Sequence, residues 1–410
     1  MSATAAPAHA RSYLLIVMVL ASASALSNLS SFSFMPSVVS IGKSLESSTA
    51  AIQSTVFIYQ WLFAVVTLFA GFIADRYNKC GVLLVGSGMV LVAGLGVAAS
   101  QSYGMFLLWR CVQAVGAATA FVCARAVAAD VVDRSWLVTA MAWVAGAASI
   151  SSMAGPAVGG LVEQTLNWRY TFAIIAVYSG AVMFALWRLI LPLKLTPQKQ
   201  SAAEAADVTR AGRWRELVPS MAVVRCSCAI GMCSFSFHLF MTSAPLLLPR
   251  LYGYTPAEVG TAMISPTIGF MCGVPLASML VRRSRRPVDV LMRIEMCVLA
   301  FWGGAMAVGA ALGTPAVLLC VLAGLVGFSN AFVIPMGFAS VTLLESGKAG
   351  SVSGVLGFSQ FIIAGIAGLL AIVITRHDFV WLGVAISVGG LLAIVLVPRF
   401  PRGARLGGRA

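Results

Sequence analysis

The chain has 410 residues, of which 60% are hydrophobic and only 10% are charged, and its formal net charge is +14. Soluble globular proteins carry about 25% charged residues, so this composition excludes a soluble domain of ordinary size and indicates a polytopic membrane protein. Twelve helical spans of about 20 residues would occupy nearly the whole length. The basic residues lie in short segments between apolar runs, which argues against a nucleic-acid partner.

The first half of the chain contains six predicted spans. An apolar run continues from Arg11 to about Pro36, and its A-S-A-S-A stretch at 21–25 resembles a signal-peptide cleavage site. We interpret it as an uncleaved first span, because cleavage would send the Arg-rich C-terminal tail outward, against the charge rule. Spans 2 to 6 are predicted over about 50–74, 81–99, 103–131, 137–161 and 168–191. Residues 1–191 are therefore assigned to an N-terminal six-helix bundle.

A polar segment, 192–218, follows and is interpreted as a cytoplasmic linker. Six further spans are predicted over about 220–247, 256–281, 288–312, 315–344, 350–374 and 379–397. They form a predicted C-terminal six-helix bundle at 219–398, followed by a cytoplasmic tail at 399–410. The halves show weak repeats at a nearly constant spacing: Pro36 with Pro245, which are predicted to close spans 1 and 7, and Arg76 with Arg285 in equivalent loops.

The distribution of basic residues predicts the orientation. With both termini in the cytoplasm, only five of the 27 Lys and Arg residues would lie outside, namely Lys43, Arg110, Arg169, Arg250 and Arg376. We therefore expect a multi-pass protein of the bacterial inner membrane, with both termini cytoplasmic, embedded in the lipid bilayer as a monomer. The nine cysteines fall almost entirely within apolar runs and are expected to be buried, unpaired thiols.

A charged hairpin joins spans 2 and 3. It reads G-F-I-A-D-R-Y-N-K-C-G and contains Gly71, Asp75, Arg76 and Lys79. This spacing resembles the loop signature of the major facilitator superfamily of transporters. The resemblance implies that Asp75 and Arg76 form a charge cluster with Asp130 at the end of span 4, which latches the outward-facing state. The alternative is that these charges only anchor the topology, and the copy at 280–287, which has no aspartate, is expected to be a weaker latch or none.

Span 4 contains R-C-V-Q-A-V-G, in which Arg110 and Gln113 are one helical turn apart and face the same way. An arginine at the centre of a span costs about 2.5–3.5 kcal/mol on insertion scales and needs a partner or a water-filled cavity. The pattern resembles the span 4 signature of proton-coupled drug exporters, which implies a role in proton transfer or in a cavity network. The alternative is that Arg110 extends to the outer surface.

Span 5 contains M-A-G-P-A-V-G-G, with Gly155, Pro156 and Gly159. The glycines allow a close neighbour, and the proline kinks the helix. The stretch resembles the antiporter motif of the superfamily, although it could serve helix packing alone.

Three further stretches narrow the resemblance: A-R-A-V-A-A-D at 124–130, with Arg125, N-W-R-Y-T-F at 167–172, and A-P-L-L-L-P-R-L-Y-G-Y-T-P-A-E-V-G at 244–260. Together they resemble the bicyclomycin/chloramphenicol-resistance branch of bacterial 12-helix drug:proton antiporters. The fold implied is an all-α membrane protein with two pseudo-symmetric six-helix bundles. That branch commonly has an acid in span 1, where this chain has Asn28, which cannot carry a proton. Proton coupling would then need another site, with Asp75, Asp130 and Glu295 as candidates.

In the family fold, spans 1, 4, 7 and 10 line a central cavity. The residues expected there are Asn28, Phe32, Arg110, Gln113, His238, Met241, Asn330 and Met336, with Tyr59 and Gln360 also within reach. The residues expected to serve gating or coupling are Gly71, Asp75, Arg76, Lys79, Arg125, Asp130, Gly155, Pro156, Gly159 and Glu295. Such an aromatic and Met-rich wall suits an amphiphilic organic solute.

The sequence therefore predicts a secondary active transporter that exports a small amphiphilic compound by proton antiport, with no cofactor and no enzymatic activity. It contains no Gly-rich nucleotide-binding loop. Two alternatives remain. One is a copper or other soft-metal importer, resembling facilitator-type copper importers, which would use His238, Met241, Met292 and Met296. The other is a membrane sensor of the same fold that binds a ligand without transporting it.

Overall fold

The first half of the molecule is built from helices. The structure, a computed structural model, describes residues 8–132, 134–191, 220–284, 286–344 and 349–398. Its first-half elements are α1 (Ala8–Phe32), a 3-10 turn (Met35–Ser37), α2 (Val38–Ser44), α3 (Thr49–Arg76), α4 (Lys79–Ala98), α5 (Tyr103–Val131), α6 (Arg134–Thr165) and α7 (Trp168–Leu189).

The second half repeats this all-helical organisation. Its elements are α8 (Met221–Tyr252), α9 (Pro256–Ala262), α10 (Ser265–Arg283), α11 (Val288–Ala311), α12 (Ala316–Leu344), α13 (Ala349–Ile374) and α14 (Phe379–Leu396). Twelve segments of the described chain are long and apolar enough to cross a membrane. They confirm the predicted number of spans, with α1 and α2 together forming span 1 and α9 and α10 together forming span 8. The predicted linker at 192–218 and tail at 399–410 lie outside the described residues.

Two prolines that were predicted to end spans do not end them. Pro36 lies within the 3-10 turn, after which span 1 resumes as α2 and continues to Ser44. Pro245 lies inside α8, which continues to Tyr252. In hydrocarbon the helix is the conformation that satisfies the remaining backbone groups, so a single missing N–H kinks the span without ending it. The end of α8 is set instead by Gly253, whose positive φ of 70° terminates the helix.

The helix contacts define two bundles with the same internal arrangement. In the first half span 1 packs on spans 4, 5 and 6, and span 3 packs on spans 4 and 6. In the second half span 7 packs on spans 10, 11 and 12, and span 9 packs on spans 10 and 12. The halves meet where span 2 contacts span 11 and where span 5 contacts span 8, two pairs that a pseudo-twofold axis exchanges.

The two ends of this molecule differ in charge. We call the end that carries Lys79, Arg188 and Arg283 the basic end, and the end that carries the loops at 45–48, 99–102 and 253–255 the opposite end. The chain turns at each end through side-chain caps. At the basic end the side-chain Oδ1 of Asn78 accepts hydrogen bonds from the backbone N–H groups of Cys80 and Gly81, at 3.0 and 3.4 Å, and so caps the start of span 3.

Candidate functional site in the span 2, 4 and 11 crevice

Arg110 is among the largest fully buried side chains of the described chain, with 1% of its surface exposed. Its Nη1 donates to the Ser30 carbonyl and to Gln113 Oε1, both at 2.6 Å. The guanidinium also lies over two rings, 4.4 Å from the centroid of Phe34 and 4.4 Å from that of Tyr59. Arg110 therefore faces the interior of the first bundle, and its charge is stabilised by a carbonyl, an amide and aromatic faces.

This arrangement leaves buried hydrogen-bonding capacity unused. Arg110 Nε and Nη2 and the Gln113 side-chain nitrogen have no hydrogen-bond partner among the described residues. No carboxylate in the described part of the chain forms an ion pair with Arg110. A buried unsatisfied donor costs about 1–3 kcal/mol, so the site is suited to water or a ligand atom that enters the bundle.

A continuous set of rings leads from Arg110 toward the basic end. Tyr59 stacks on Phe63 at 6.2 Å between centroids, Phe63 lies 4.6 Å from Phe361, and Phe121 lies 5.7 Å from Phe63. We call Tyr59, Phe63, Phe121 and Phe361 the aromatic column. It joins spans 2 and 4 of the first bundle to span 11 of the second, so it lies at the interface between the halves.

Arg125 occupies the far end of the aromatic column. Its guanidinium carbon lies 3.7 Å from the centroid of the Phe121 ring. The side chain is half-buried, in contrast to sealed Arg110. Arg110 and Arg125 are fifteen residues, or about four turns and 22 Å, apart on α5, so the two arginines share one side of span 4.

Several predicted cavity residues meet at the interface between spans 1 and 7. The Phe32 ring lies 5.6 Å from the His238 ring and 5.9 Å from that of Phe237. His238 Nδ1 is 2.8 Å from the Ser234 carbonyl oxygen, one turn earlier on its own helix. Asn28 donates to the Ala148 carbonyl at 2.7 Å, which ties span 1 to span 5. These contacts place Phe32 and His238 between the halves and give Asn28 a structural hydrogen bond.

The remaining predicted cavity residues are more dispersed. Met241 is buried with the main core, whereas Met336 belongs to a separate apolar cluster of the second bundle. Asn330 is buried in span 10, and its Oδ1 accepts no hydrogen bond from the described residues. Gln360 is half-buried, beside Phe361 in sequence. The structure thus brings Tyr59, Arg110 and Gln113 into one group, and it places Met336 elsewhere.

The predicted glycines of span 5 make the closest packing at the opposite end. A Cβ on Gly155 would lie 2.8 Å from Ser33 Oγ, and one on Gly159 would overlap the Ser33 carbonyl. The neighbouring Gly160 packs in the same way against the Pro256 carbonyl of span 8, and Gly260 of span 8 packs against the Pro156 carbonyl. Spans 5 and 8 therefore meet backbone to backbone through two reciprocal P-A-x-x-G segments.

Two further polar contacts join the halves, one toward the opposite end and one midway along the spans. Gln53 donates to the Thr242 carbonyl at 3.2 Å, and Trp61 Nε1 donates to the Ile362 carbonyl at 3.1 Å. Together with the P-A-x-x-G contact they join span 2 to spans 7 and 11 and span 5 to span 8. The two bundles are held together at the opposite end in this conformation.

At the basic end, Lys79 and Asp130 form an ion pair. Lys79 Nζ lies 2.8 Å from Asp130 Oδ2, and the two side chains are 13% and 22% exposed. Both residues belong to the first bundle, where the pair ties the start of span 3 to the end of span 4. The predictions for Gly71, Asp75 and Arg76 concern side chains outside the described part of the structure.

The basic residues of the second bundle bind helix ends. Arg225 and Arg293 donate to the Val395 and Val397 carbonyls at 2.9 and 2.6 Å, which satisfies the last turn of span 12. Arg293, predicted to lie near Glu295, therefore has a backbone partner. Glu295 itself is half-buried and forms no ion pair within the described residues.

The four residues of the soft-metal alternative do not converge. Met292 and Met296 lie in the apolar cluster of the second bundle with Cys226 and Cys233, and the Cys233 and Met296 sulfurs are 3.5 Å apart. Met241 packs in the main core, and His238 lies against Phe32 and Phe237. Within the described residues, no group of three or more His, Cys, Asp or Glu side chains could hold a metal ion.

Five residues that matter to this geometry were not predicted from the sequence. Phe63, Phe121 and Phe361 complete the aromatic column, Gly260 closes the opposite end, and Asn78 begins span 3. The P-A-x-x-G segments at 156–160 and 256–260 were a readable signal, since they repeat one pattern in two spans. The three phenylalanines carry no such signal, because 22 phenylalanines are spread along the chain.

Two six-helix bundles with buried polar groups between and within them define a polytopic membrane transporter. The chain matches the model of the Major Facilitator Superfamily over residues 20–368, and it belongs to that superfamily. It is 25% identical over 325 residues to the multidrug resistance protein MdtL of Salmonella typhimurium, a match that covers 78% of each chain. The MdtL protein of Salmonella typhi matches with the same identity and coverage.

Solved structures show the same fold. A D-xylose-proton symporter superposes with a TM-score of 0.72 at 13% identity, covering 94% of this chain and 98% of the other. The xylose transporter XylE from E. coli, in a partially occluded inward open conformation, superposes with a TM-score of 0.70 at 14% identity and covers 94% of this chain and 100% of its own. The predicted fold is thereby confirmed.

Proposed function

We propose that this protein exports a small amphiphilic organic compound across the bacterial inner membrane in exchange for protons. The observation that carries the proposal is the buried pair of Arg110 and Gln113. The pair retains hydrogen-bond donors without a partner among the described residues, and it lies beside Tyr59 at one end of the aromatic column. Polar groups of this kind are expensive in hydrocarbon and mark transport pathways. The multidrug name of the relatives supports a cargo of this class.

Transport proceeds by alternating access of the two bundles around the crevice. The basic end faces the cytoplasm, in keeping with the excess of Lys and Arg there. The present conformation, with spans 5 and 8 in backbone contact at the opposite end, is the one closed to the outside. Gly71, Asp75 and Arg76 join Lys79 and Asp130 in a latch that favours the outward-facing state when the basic end closes.

Proton coupling uses an acid outside span 1, because Asn28 there is engaged with the Ala148 carbonyl and has no titratable proton. Glu295 is the best candidate in the interior of a span, since it is half-buried and has no ion pair within the described residues. Asp130 is a weaker candidate because it already forms an ion pair with Lys79 near the end of span 4.

The proposal is tested in proteoliposomes with a panel of a neutral, a cationic and an anionic amphiphile. An acidic lumen drives uptake of any compound exchanged for protons. We expect uptake of at least one compound above protein-free vesicles, and its loss when nigericin collapses the gradient. Binding without uptake of any compound would contradict transport, and uptake that ignores the gradient would contradict proton antiport.

A further inference from the structure

We propose that Arg125, with the rings of Phe121 and Phe361, binds the negatively charged group of an aromatic organic anion, such as an aryl carboxylate. The inference rests on the proposed transport function and names the chemical class of its cargo. Arg125 lies 3.7 Å over the Phe121 ring, and the Phe121 and Phe361 centroids are 6.2 Å apart. The cation and the rings come from both bundles, so a ligand between them would contact both halves.

Within the described residues, no carboxylate compensates the charge of Arg125. Six residues, or about 9 Å of helix, separate it from Val131 at the end of α5. Its guanidinium lies against the face of Phe121, and no carboxylate in the described part of the chain pairs with it. A cation at this depth is costly unless a partner is supplied, and an anionic ligand would supply it.

The backbone of Asp75 lies well beyond Arg125 toward the basic end. It lies twelve residues beyond Phe63 on α3, or about 18 Å along the helix axis. Arg125 lies only four residues, or about 6 Å, beyond Phe121 on α5. Because Phe63 and Phe121 are in ring contact at 5.7 Å, Asp75 lies about 12 Å nearer the basic end than Arg125 does.

The two arginines of span 4 differ in access. Arg110 is sealed by the Phe34 and Tyr59 rings and hydrogen-bonded to Ser30 and Gln113. Arg125 is only half-buried, so part of its side chain stays exposed, unlike that of Arg110. The guanidinium is planar and offers paired donors to a carboxylate, while a ring next to the carboxylate can stack on Phe121 or Phe361.

The test is equilibrium dialysis of the detergent-purified protein with 2-naphthoate and with its neutral analogue 2-naphthamide. We expect the wild type to bind naphthoate at least tenfold more tightly than naphthamide. Arg125→Gln should reduce that ratio to within twofold, and Arg125→Lys should retain part of it. Arg188→Gln, which removes an exposed arginine near the Trp187 ring, is the matched control and should leave the ratio unchanged.

Equal binding of the two probes by the wild type would overturn the inference, as would a ratio that survives Arg125→Gln. Competition by inorganic phosphate at the same concentration would show a general anion site and contradict the aromatic requirement. If Arg125→Gln does not fold, the wild-type ratio and the Arg125→Lys protein decide. Dialysis needs no gradient, so naphthoate selectivity without vesicle uptake would refute only the proposed function. Gradient-driven uptake without that selectivity would refute only this inference.

Discussion

The two ends of the molecule are held by different physical means. At the opposite end the bundles meet backbone to backbone, where Gly160 and Gly260 pack against the carbonyls of Pro256 and Pro156. At the basic end the described polar contacts stay within one bundle, as in the Lys79–Asp130 pair. A backbone-to-backbone contact leaves no room for an added atom. The attraction within an ion pair near the membrane surface instead falls gradually as the charges separate or become hydrated. The comparison predicts that mutations at the two ends will have effects on transport of very different size.

Of the two ends, the steric end is expected to give the larger effect. Gly160→Ala adds a methyl group that overlaps the Pro256 carbonyl, so spans 5 and 8 must separate and the closed state is lost. We expect gradient-driven uptake in proteoliposomes to fall at least tenfold. Gly146→Ala in the same helix is the control, because a Cβ there meets no atom within 4 Å, and it should stay within twofold of wild type.

Gly260→Ala tests the same contact from the side of span 8. Its added Cβ overlaps the Pro156 carbonyl, so the loss of uptake should match that of Gly160→Ala. The double variant should be little worse than either one, since both changes disrupt one contact. Wild-type uptake by Gly260→Ala would show that spans 5 and 8 need not meet.

Between the ends, Arg110→Ala should abolish uptake of every compound in the panel, because it removes the cation that organises Gln113, Ser30 and Tyr59. Arg110→Lys retains the charge without the planar donors and should restore little activity. Arg169→Ala at the opposite end also removes hydrogen bonds, to Ser44 and Ser100, and should lower thermal stability more than uptake. Unchanged uptake by Arg110→Ala in correctly inserted protein would remove Arg110 from the mechanism.

At the charged end the expected change is smaller. Asp130→Asn leaves Lys79 without its carboxylate and should slow uptake several-fold while substrate affinity stays within twofold. Lys79→Met should slow uptake to a similar extent. The double variant Lys79→Asp with Asp130→Lys, which exchanges the two charges, should recover part of the uptake rate. A change in affinity alone would contradict a latch.

The smallest effect is expected at Asn78, which caps span 3 beside the ion pair. Asn78→Ala should destabilise the protein by about 1 kcal/mol, in the range measured for helix N-caps, and Asn78→Asp should retain the cap. Thermal unfolding in detergent measures both. Equal loss in the two variants would assign the effect to something other than the cap.

The sequence predicts the spans well because the hydropathy of a segment depends only on its own residues and not on its tertiary contacts. Span 4 was predicted over 103–131 and is Tyr103–Val131 in the structure. The predicted ends of spans 1 and 7 at Pro36 and Pro245 were wrong. A proline removes one backbone hydrogen bond, but in hydrocarbon the helix continues because it satisfies the other backbone groups.

The candidate site was only partly predictable. Arg110 and Gln113 were predicted as a pair from their spacing on one helix, and their 2.6 Å hydrogen bond has the expected local geometry. The contact of Phe121 with Phe361 depends on how two distant spans meet, which no local pattern in the chain encodes. The same limit explains why His238 and Met292, both plausible metal ligands by type, occupy different clusters.

The central claim is that the two bundles rock so that one end opens as the other closes. Distances between pairs of spin labels, measured by double electron–electron resonance, test it most directly. The labels are placed in a background from which the nine native cysteines have been removed. One label pair, at Leu166 and Leu312, reports on the opposite end, and another, at Tyr77 and Arg286, reports on the basic end. On adding a transported compound with a proton gradient, the first distance should lengthen as the second shortens. Distances that stay fixed, or that change in the same direction, would contradict alternating access.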